Sequence, residues 1–466
     1  MWSARPSGNR TSGFLEQPRD FGERPVVGDN RDTIFALSSG YGKAAIALFR
    51  ISGDGCGAAL RLLTRRESFP ARQAVLTTLR HPQSLEPVDR AVATRFPASS
   101  SFTGEELAEI GVTGGRAVVA AAIGALGDVP GLRLAKPGEF AWRAFVNGKV
   151  DLSEVEGLAD LVDAETEAQR RQAHRIAGGA LKRECEAVRA SLLEAMAAVE
   201  AQIDFSDVED SEGLTEDIVK RQAAAAIDRI DRALSSAAAA RRVRDGFVVV
   251  IAGRPNVGKS SLVNALAGRD VAITSAIPGT TRDLIEVSLD LNGFPVTLVD
   301  TAGIRDSDDP IEREGVARAL RRSQNADLTL WLSDGCDATD AAAAVDAIKV
   351  RTKIDLCKER PEASREEFGI STKTGEGVDE LLAMLGKIAQ ERSSAGEPPL
   401  LSLERHRIAF RSARDAIAAA LSRRNFDAEL VAEDLRRAAA AMDGVTGRIG
   451  VEDVLGEIFS RLCVGK

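Results

Sequence analysis

The chain is poor in the residues that build metal-binding frameworks. It holds three histidines among 466 residues, and no two of Cys56, Cys185, Cys336, Cys357 and Cys463 form a C-x-x-C pair. That usage argues against a zinc site, and thiols so scattered suit a reducing cytosol, so a cytoplasmic location is expected. Long apolar runs are missing as well. Stretches such as Ala117 to Leu126 fall far short of the roughly 18–20 residues that cross a bilayer, so no membrane partner is expected. The opening MWSARPSGNRTSG lacks the apolar core of a secretory signal, and Glu16, Asp20 and Glu23 run against a mitochondrial presequence. Net positive charge is absent too. With 61 Lys plus Arg against 70 Asp plus Glu, the formal charge is −9. Bulk electrostatics therefore do not draw the chain to nucleic acid, and any RNA contact has to come from a local basic patch or a partner.

The composition that remains, 44% hydrophobic and 28% charged, is that of a soluble globular protein with room for about three domains. Residues 1–32 read as a flexible extension. Residues 33–149 mix short apolar runs with glycine and proline, with strands expected at Thr33–Leu37, Ala44–Ile51 and Ala91–Phe96 and a helix at Gly115–Leu126. This predicts an α+β domain. Over 150–245 the apolar spacing of Val155, Leu158, Leu161 and Val162 marks amphipathic helices, interrupted by an acidic loop from Asp204 to Gly213. Residues 246–390 alternate strand and helix patterns, beginning with the β-branched run Phe247–Ala252, and read as an α/β domain. Helical texture returns over 391–466, where Val451, Val454, Leu455, Ile458, Phe459 and Leu462 form one stripe. Helical segments on both sides of the α/β unit predict an inserted domain whose flanks pack as one bundle.

The chemistry lies in that insert. GRPNVGKS, Gly253 to Ser260, fits G-x-x-x-x-G-K-[ST] between a strand and a helix. Its glycines let backbone N–H groups of Asn256, Val257, Gly258, Lys259, Ser260 and Ser261 turn around phosphate at a helix N-terminus. Lys259 places a charge on the β- and γ-phosphates, and the Ser260 hydroxyl suits magnesium. DTAG follows an apolar strand: Asp300 would hold magnesium through water, and the amide of Gly303, after Thr301 and Ala302, meets the γ-phosphate. Thr352-Lys353-Ile354-Asp355 stands where N-K-x-D reads guanine, since a carboxylate accepts two hydrogen bonds that adenine does not offer. Thr352 replaces the usual asparagine. The stretch from Ser371 through Thr372 and Lys373 to Gly377 matches the loop that closes over the base. Four ordered elements predict GTP binding. The glutamine that often follows D-T-A-G to orient water is here Ile304, and no arginine identifies itself as a finger.

Further motifs carry a family resemblance. GRPNVGKSSLVNALAG with ITSAIPGTTRD (Ile273–Asp283), FRISG (Phe49–Gly53), SFTGEE (Ser101–Glu106), KPGEFAWRAFVNGKVDL (Lys136–Leu152) and the terminal Cys463-Val464-Gly465-Lys466 resemble the MnmE (TrmE) family from about Thr33 to Lys466. The resemblance implies a multidomain α/β protein, a Ras-like G domain inserted in a helical domain behind an N-terminal folate-binding-type α+β domain. It implies a potassium-dependent GTPase that forms homodimers and joins an FAD-dependent partner, MnmG (GidA), in a heterotetramer or larger complex. The implied reaction modifies C5 of the wobble uridine of tRNA to an aminomethyl or carboxymethylaminomethyl group. The carbon would come from 5-formyl- or 5,10-methylene-tetrahydrofolate.

By the same resemblance potassium would take Asn256, Ser275, Ile277 and Thr280, in a loop where Ala276, Pro278 and Gly279 also border the nucleotide. Magnesium would take Ser260 and Thr281. Glu312 would organise the attacking water, with Lys259 as the other catalytic residue. Folate would meet Arg50, Glu109, Lys149 and Lys466, and Cys463 would be a functional thiol or, on the plainer reading, a packing residue. The chain departs from the family at Thr113, where relatives carry histidine, at Gly40–Ala44, which lacks a second glycine pair, and in a shortened stretch between Asp334 and Thr352. A ribosome-assembly switch or a stress-response scaffold would carry a similar G domain without the folate set.

Overall fold

Local sequence pattern sets the N-terminal sheet. Along Ile46–Ile51 the chain alternates: Ala47, Phe49 and Ile51 are buried, while Ile46 is 67% exposed on the opposite face. A computed structural model describes residues 32–466 apart from 41, 205–210, 255, 270, 274–285, 301–325, 335–346, 358–366, 395, 424–426, 449–458, 460–464 and 466. Contacts divide the chain into two units, Met1–Lys149 with Glu452–Lys466, and Val150–Val451. The first contains β1 (Thr33–Leu37), β2 (Ile46–Ser52), α1 (Cys56–Thr64), β3 (Val75–Arg80), β4 (Pro87–Phe96), β5 (Leu107–Thr113), α2 (Arg116–Gly127), β6 (Leu132–Leu134) and α3 (Glu139–Val146). The strands order as β3-β4-β5-β2-β1-β6, antiparallel except for the β1–β6 pair. Helices α1 and α2 cover one face, where Leu60, Leu63, Ala122 and Leu126 pack on Phe49, Ile51 and Ile110.

The expected strand at Thr33–Leu37 lies at those residues, and the next begins at Ile46, two residues later than expected. The stretch Ala91–Phe96 is the second half of a longer strand. Strands β3, β5 and β6 were not anticipated. Sequences such as LAEIGVT, with a glutamate and a glycine, acquire their extended form from the neighbours they pair with rather than from local preference.

The second unit opens with α4 (Leu152–Asp163), α5 (Glu167–Ala177), α6 (Ala180–Asp204), α7 (Ser211–Ser235) and α8 (Ala237–Asp245). An α/β segment follows: β7 (Phe247–Gly253), α9 (Lys259–Ala267), β8 (Glu286–Leu291), β9 (Phe294–Asp300), β10 (Leu328–Asp334), β11 (Ala347–Thr352), β12 (Glu367–Gly369) and α10 (Val378–Ser393). Then come α11 (Glu404–Ser422) and α12 (Ala428–Thr446). The second sheet orders as β12-β11-β10-β7-β9-β8 and is parallel except at the β8–β9 hairpin. Leu181, Val188 and Leu192 of α6 share one core with Ile230 of α7, Phe410 and Ile417 of α11 and Leu435 and Met442 of α12. The two helical flanks thus form a single bundle around the insertion. Helix α7 starts at Ser211, inside the expected acidic loop, whose residues 205–210 lie outside the described set.

Of the terminal stripe, Phe459 is the residue that lies among the described ones. Phe459 packs edge-on against Trp142 of α3 at 5.2 Å between ring centroids. A Cβ at Gly138, whose φ is 68°, would stand 2.1 Å from the Phe459 carbonyl oxygen.

A buried polar junction ties the bundle together. Glu156 of α4 accepts hydrogen bonds from both Nε and Nη2 of Arg405, and one from His406 Nε2 at 2.9 Å. Arg405 also donates to the carbonyls of Gly444 and Val445 in α12, at 3.3 and 3.2 Å. Burial holds the pKa of His406 below its ordinary value despite the carboxylate beside it. A neutral ring donating from Nε2 then leaves only the Nδ1 lone pair without a partner. Burial alone would raise the pKa of Glu156, but the bonds from His406 and Arg405 hold it below the usual range. Glu156→Ala leaves the half-buried Arg405 without its counter-charge and the buried His406 without its acceptor, and should lower unfolding free energy by about 1–3 kcal/mol, read from urea denaturation. Because the folded-state pKa of His406 is depressed, its contribution is complete above 6.5 and is lost as pH falls below that value. Stability should therefore drop between pH 7.5 and 5.5, and His406→Gln should flatten that drop.

Candidate functional site

The site begins where β7 leaves the sheet. Phe247, Val249 and Ile251 are fully buried, so the strand is fixed between β9 and β10. At its end Gly253 adopts φ 145°, and a Cβ there would lie 2.3 Å from the Leu332 carbonyl oxygen, so only glycine passes. The chain turns through Asn256 at φ 64° and Gly258 at φ 99°, and Gly258 is the N-cap of α9. Glycine supplies no capping side chain, so the first N–H groups of α9 face the loop and the positive end of the helix dipole with them. Lys259 is 8% exposed, and its ammonium donates to the carbonyls of Gly253 and Arg254, both at 2.8 Å. Ser260 Oγ donates to Asp300 Oδ2 at 2.7 Å, joining α9 to the end of β9.

A second wall comes from β11. Thr352, 1% exposed, places Oγ1 2.5 Å from the Val257 carbonyl and 3.1 Å from that of Ser333. Lys353, at φ 58°, donates to the Asn256 carbonyl at 2.9 Å and to Asp334 Oδ2 at 2.8 Å. The threonine that departs from the motif therefore bolts strand β11 to the phosphate loop. Asp355 sits exposed in the turn Ile354–Leu356, and its Oδ1 accepts from Ser371 Oγ at 2.8 Å. Ser371 Oγ also receives the Thr374 amide at 3.2 Å, which shapes the turn containing Thr372 and Lys373. Asn256 through Ser261, Asp300, Thr352, Lys353, Asp355 and Ser371 thus converge at the C-terminal edge of the parallel sheet, where open α/β sheets take ligands. Ser275, Ala276, Ile277, Pro278, Gly279, Thr280, Thr281, Thr301, Ala302, Gly303, Glu312, Cys463 and Lys466 lie outside the described residues.

The N-terminal unit holds a separate constellation. Arg50 and Glu109 face each other across β2 and β5, with Nε 2.9 Å from Oε1, and both are about a quarter exposed. Arg50 Nη1 also reaches the Gly465 carbonyl at 3.4 Å, which brings the chain's end against this pair. Lys149 is exposed and donates to the Ser99 carbonyl at 3.0 Å, and no described contact joins it to Arg50 or Glu109. Sequence reasoning missed Arg143. This residue of α3 is 2% exposed and bonds Asp32 at 2.6 Å, Glu105 at 3.0 Å and Glu139 at 3.1 Å. Burial opposes its charge, but the three carboxylates keep its pKa above the ordinary arginine value. Glu105 in turn accepts from Ser52 Oγ at 2.7 Å, two residues along β2 from the Arg50–Glu109 pair. An arginine inside the apolar run EFAWRAFV was the available signal.

Comparison with known proteins covers nearly the whole described chain. A family model described as "GTP-binding protein TrmE N-terminus" matches residues 33–149, and one described as "MnmE helical domain" matches residues 152–463. The tRNA modification GTPase MnmE of Parvibaculum lavamentivorans is 48% identical over 444 residues, covering 93% of this chain and 100% of that protein. Its counterpart in Methylobacterium sp. strain 4-46 is 48% identical over 438 residues, covering 93% and 100%. That of Rhodopseudomonas palustris strain BisB5 is 46% identical over 457 residues, covering 93% and 99%.

Thr352→Val preserves shape but removes the hydroxyl that meets the Val257 carbonyl. Leaving that buried oxygen without its donor should cost about 1–3 kcal/mol and weaken binding of a fluorescent GDP analogue, whereas Thr352→Ser should retain both.

Proposed function

The chain belongs to the MnmE family of tRNA modification GTPases, and we propose that it hydrolyses GTP with the help of potassium to drive modification of C5 of the wobble uridine in tRNA. The observation that carries this reading is the clasp around the phosphate loop. Gly253 passes β10 where a Cβ would collide, Gly258 takes a left-handed φ that side chains rarely adopt, and the uncapped start of α9 supplies N–H groups for phosphate oxygens. In the reaction the Lys259 ammonium exchanges its two carbonyl contacts for β- and γ-phosphate oxygens. Asp355, held by Ser371, accepts from guanine N1–H and the exocyclic amine.

The donor set suits the expected cations. Ser260 Oγ and Asp300 Oδ2 are hard oxygen donors at hydrogen-bond distance, the chemistry magnesium selects, with Thr281 as a further ligand. Bound magnesium neutralises charge on the β- and γ-oxygens. Asn256 is exposed on the loop and would offer its side-chain oxygen to potassium together with Ser275, Ile277 and Thr280. A monovalent cation there supplies the positive charge that no arginine finger brings. Glu312 orients the attacking water, a task closed to Ile304.

We assign the Arg50–Glu109 pair to a tetrahydrofolate. The carboxylate accepts from the amide-like edge of a pterin, and the guanidinium and Lys149 meet the glutamate carboxylates, with Lys466 as a further folate contact and Cys463 as a functional thiol. The reading includes a cytoplasmic homodimer and a complex with an FAD-dependent MnmG-type partner.

GTP hydrolysis measured in potassium and in sodium at matched ionic strength tests the cation. Strong stimulation by potassium is expected, and Glu312→Ala should lower kcat by about 10²-fold or more. Equal rates in the two salts would remove potassium from the mechanism and lift the assembly-switch reading. Arg50→Ala should weaken 5-formyltetrahydrofolate binding by about 1.5–3 kcal/mol in calorimetry, without changing the GTPase rate of the isolated protein.

A further inference from the structure

Where N-K-x-D would place an asparagine, this chain has Thr352, and the two side chains differ in what they can donate. An asparagine amide carries two N–H donors, a threonine hydroxyl a single O–H. The structure fixes where that hydrogen goes. Thr352 ends β11 beside Asp334 of β10, and its side chain lies on the same face of the sheet as that of Val350, two residues back. Oγ1 stands 2.5 Å from the Val257 carbonyl and 3.1 Å from the Ser333 carbonyl, so two acceptors already compete for one hydrogen. The side chain is 1% exposed and branched at Cβ, which holds it in that rotamer. The phosphate loop closes over it: a Cβ at Gly258 would lie 3.7 Å from Oγ1.

Guanine presents its groups in a fixed order. The exocyclic amine and N1–H donate, O6 and N7 accept, and C8 and the ribose follow. With the donors on Asp355 and the phosphates on the loop before α9, the O6 and N7 side of the base runs over the stretch between them, Thr352 and Lys353. N7 is an acceptor and calls for a donor. The Thr352 hydrogen is committed to the carbonyls beneath it. Lys353 directs two of its three N–H donors to the Asn256 carbonyl at 2.9 Å and to Asp334 Oδ2 at 2.8 Å, which draws the ammonium toward the loop.

We propose that Thr352 is a specificity-determining residue that leaves N7 of guanine unread. An asparagine in its place can give one N–H to the Val257 carbonyl and the other to the base. Threonine keeps the first bond and gives up the second. The pocket then selects guanine through Asp355 and admits guanine analogues that carry carbon in place of N7. The inference rests on GTP being held with its base against Asp355.

The test is competition against a fluorescent GDP analogue on the full-length protein. The competitors are GTP, 7-deaza-GTP, in which C–H replaces N7, and inosine triphosphate, which lacks the exocyclic amine. Wild type should bind 7-deaza-GTP as tightly as GTP or more tightly, and Thr352→Ser should do the same. Inosine triphosphate should bind about tenfold more weakly or worse, having lost a hydrogen bond to a charged group. Thr352→Asn should acquire a preference for GTP over 7-deaza-GTP of about three- to tenfold, the size of one net hydrogen bond. A wild-type preference for GTP over 7-deaza-GTP of that size would overturn the inference while leaving Asp355 as the reader of guanine, and this arm requires no variant to fold. A Thr352→Asn protein that binds GTP without acquiring the preference would overturn it as well. Inosine triphosphate bound as tightly as GTP would take the base off Asp355 and overturn both.

Discussion

Everything at the nucleotide site depends on one backbone constraint, the passage of the chain from β7 into α9 through a contact closed to any side chain at Gly253 and a left-handed turn at Gly258. Gly253 comes so close to β10 that an added Cβ would overlap a carbonyl oxygen at 2.3 Å, and Gly258 enters the helix at φ 99°. That path is costly to hold, and the surrounding contacts hold it. The buried side chains of β7, each contributing about 1.5–3 kcal/mol by burial, fix where the loop starts. Thr352 and Lys353 pin its middle through the Val257 and Asn256 carbonyls, and Ser260 with Asp300 secures its end. A loop so constrained presents its N–H groups in one arrangement, which is what phosphate recognition requires.

The same unit shows how an inserted domain is kept in register with its host. Helix α5 touches both crossings of the chain. Gln169 donates to the Arg244 carbonyl at 3.1 Å just before β7, and Gln172 to the Ala240 and Pro399 carbonyls at 3.1 and 2.9 Å. The Ala168 amide meets Gly293 at the tip of the β8–β9 hairpin at 2.9 Å. Strand β9 therefore starts beside the helical bundle and ends at Asp300 in the nucleotide site.

The phosphate loop was legible because its chemistry demands particular residue types at fixed offsets, and the burial of β7 could be read from a run of β-branched residues. Helical packing on both sides of the insertion was legible from periodicity. The N-terminal sheet was less so, since β5 is extended only by virtue of its partners, and its register alone places Glu109 opposite Arg50. Arg143 was invisible for a related reason: a buried arginine is tolerable only where three carboxylates from separate segments converge on it, and that convergence is a property of the fold. The role of Thr352 also emerges from tertiary structure. In sequence it is a departure from a motif, whereas in space it is the tie between two strands' ends.

The central claim is that Asp355, exposed at the sheet edge and aimed by Ser371, chooses guanine. The most direct measurement is the nucleotide specificity of Asp355→Asn, titrated with GTP and with xanthosine triphosphate. An amide at this position donates to the 2-oxo group of xanthine and no longer accepts from the guanine amine. The account predicts a loss of GTP affinity by about 10²-fold or more with a gain for xanthosine triphosphate, each lost or gained charged hydrogen bond contributing about 1.5–3 kcal/mol. Unchanged preference for GTP would contradict it and place base recognition elsewhere on the chain.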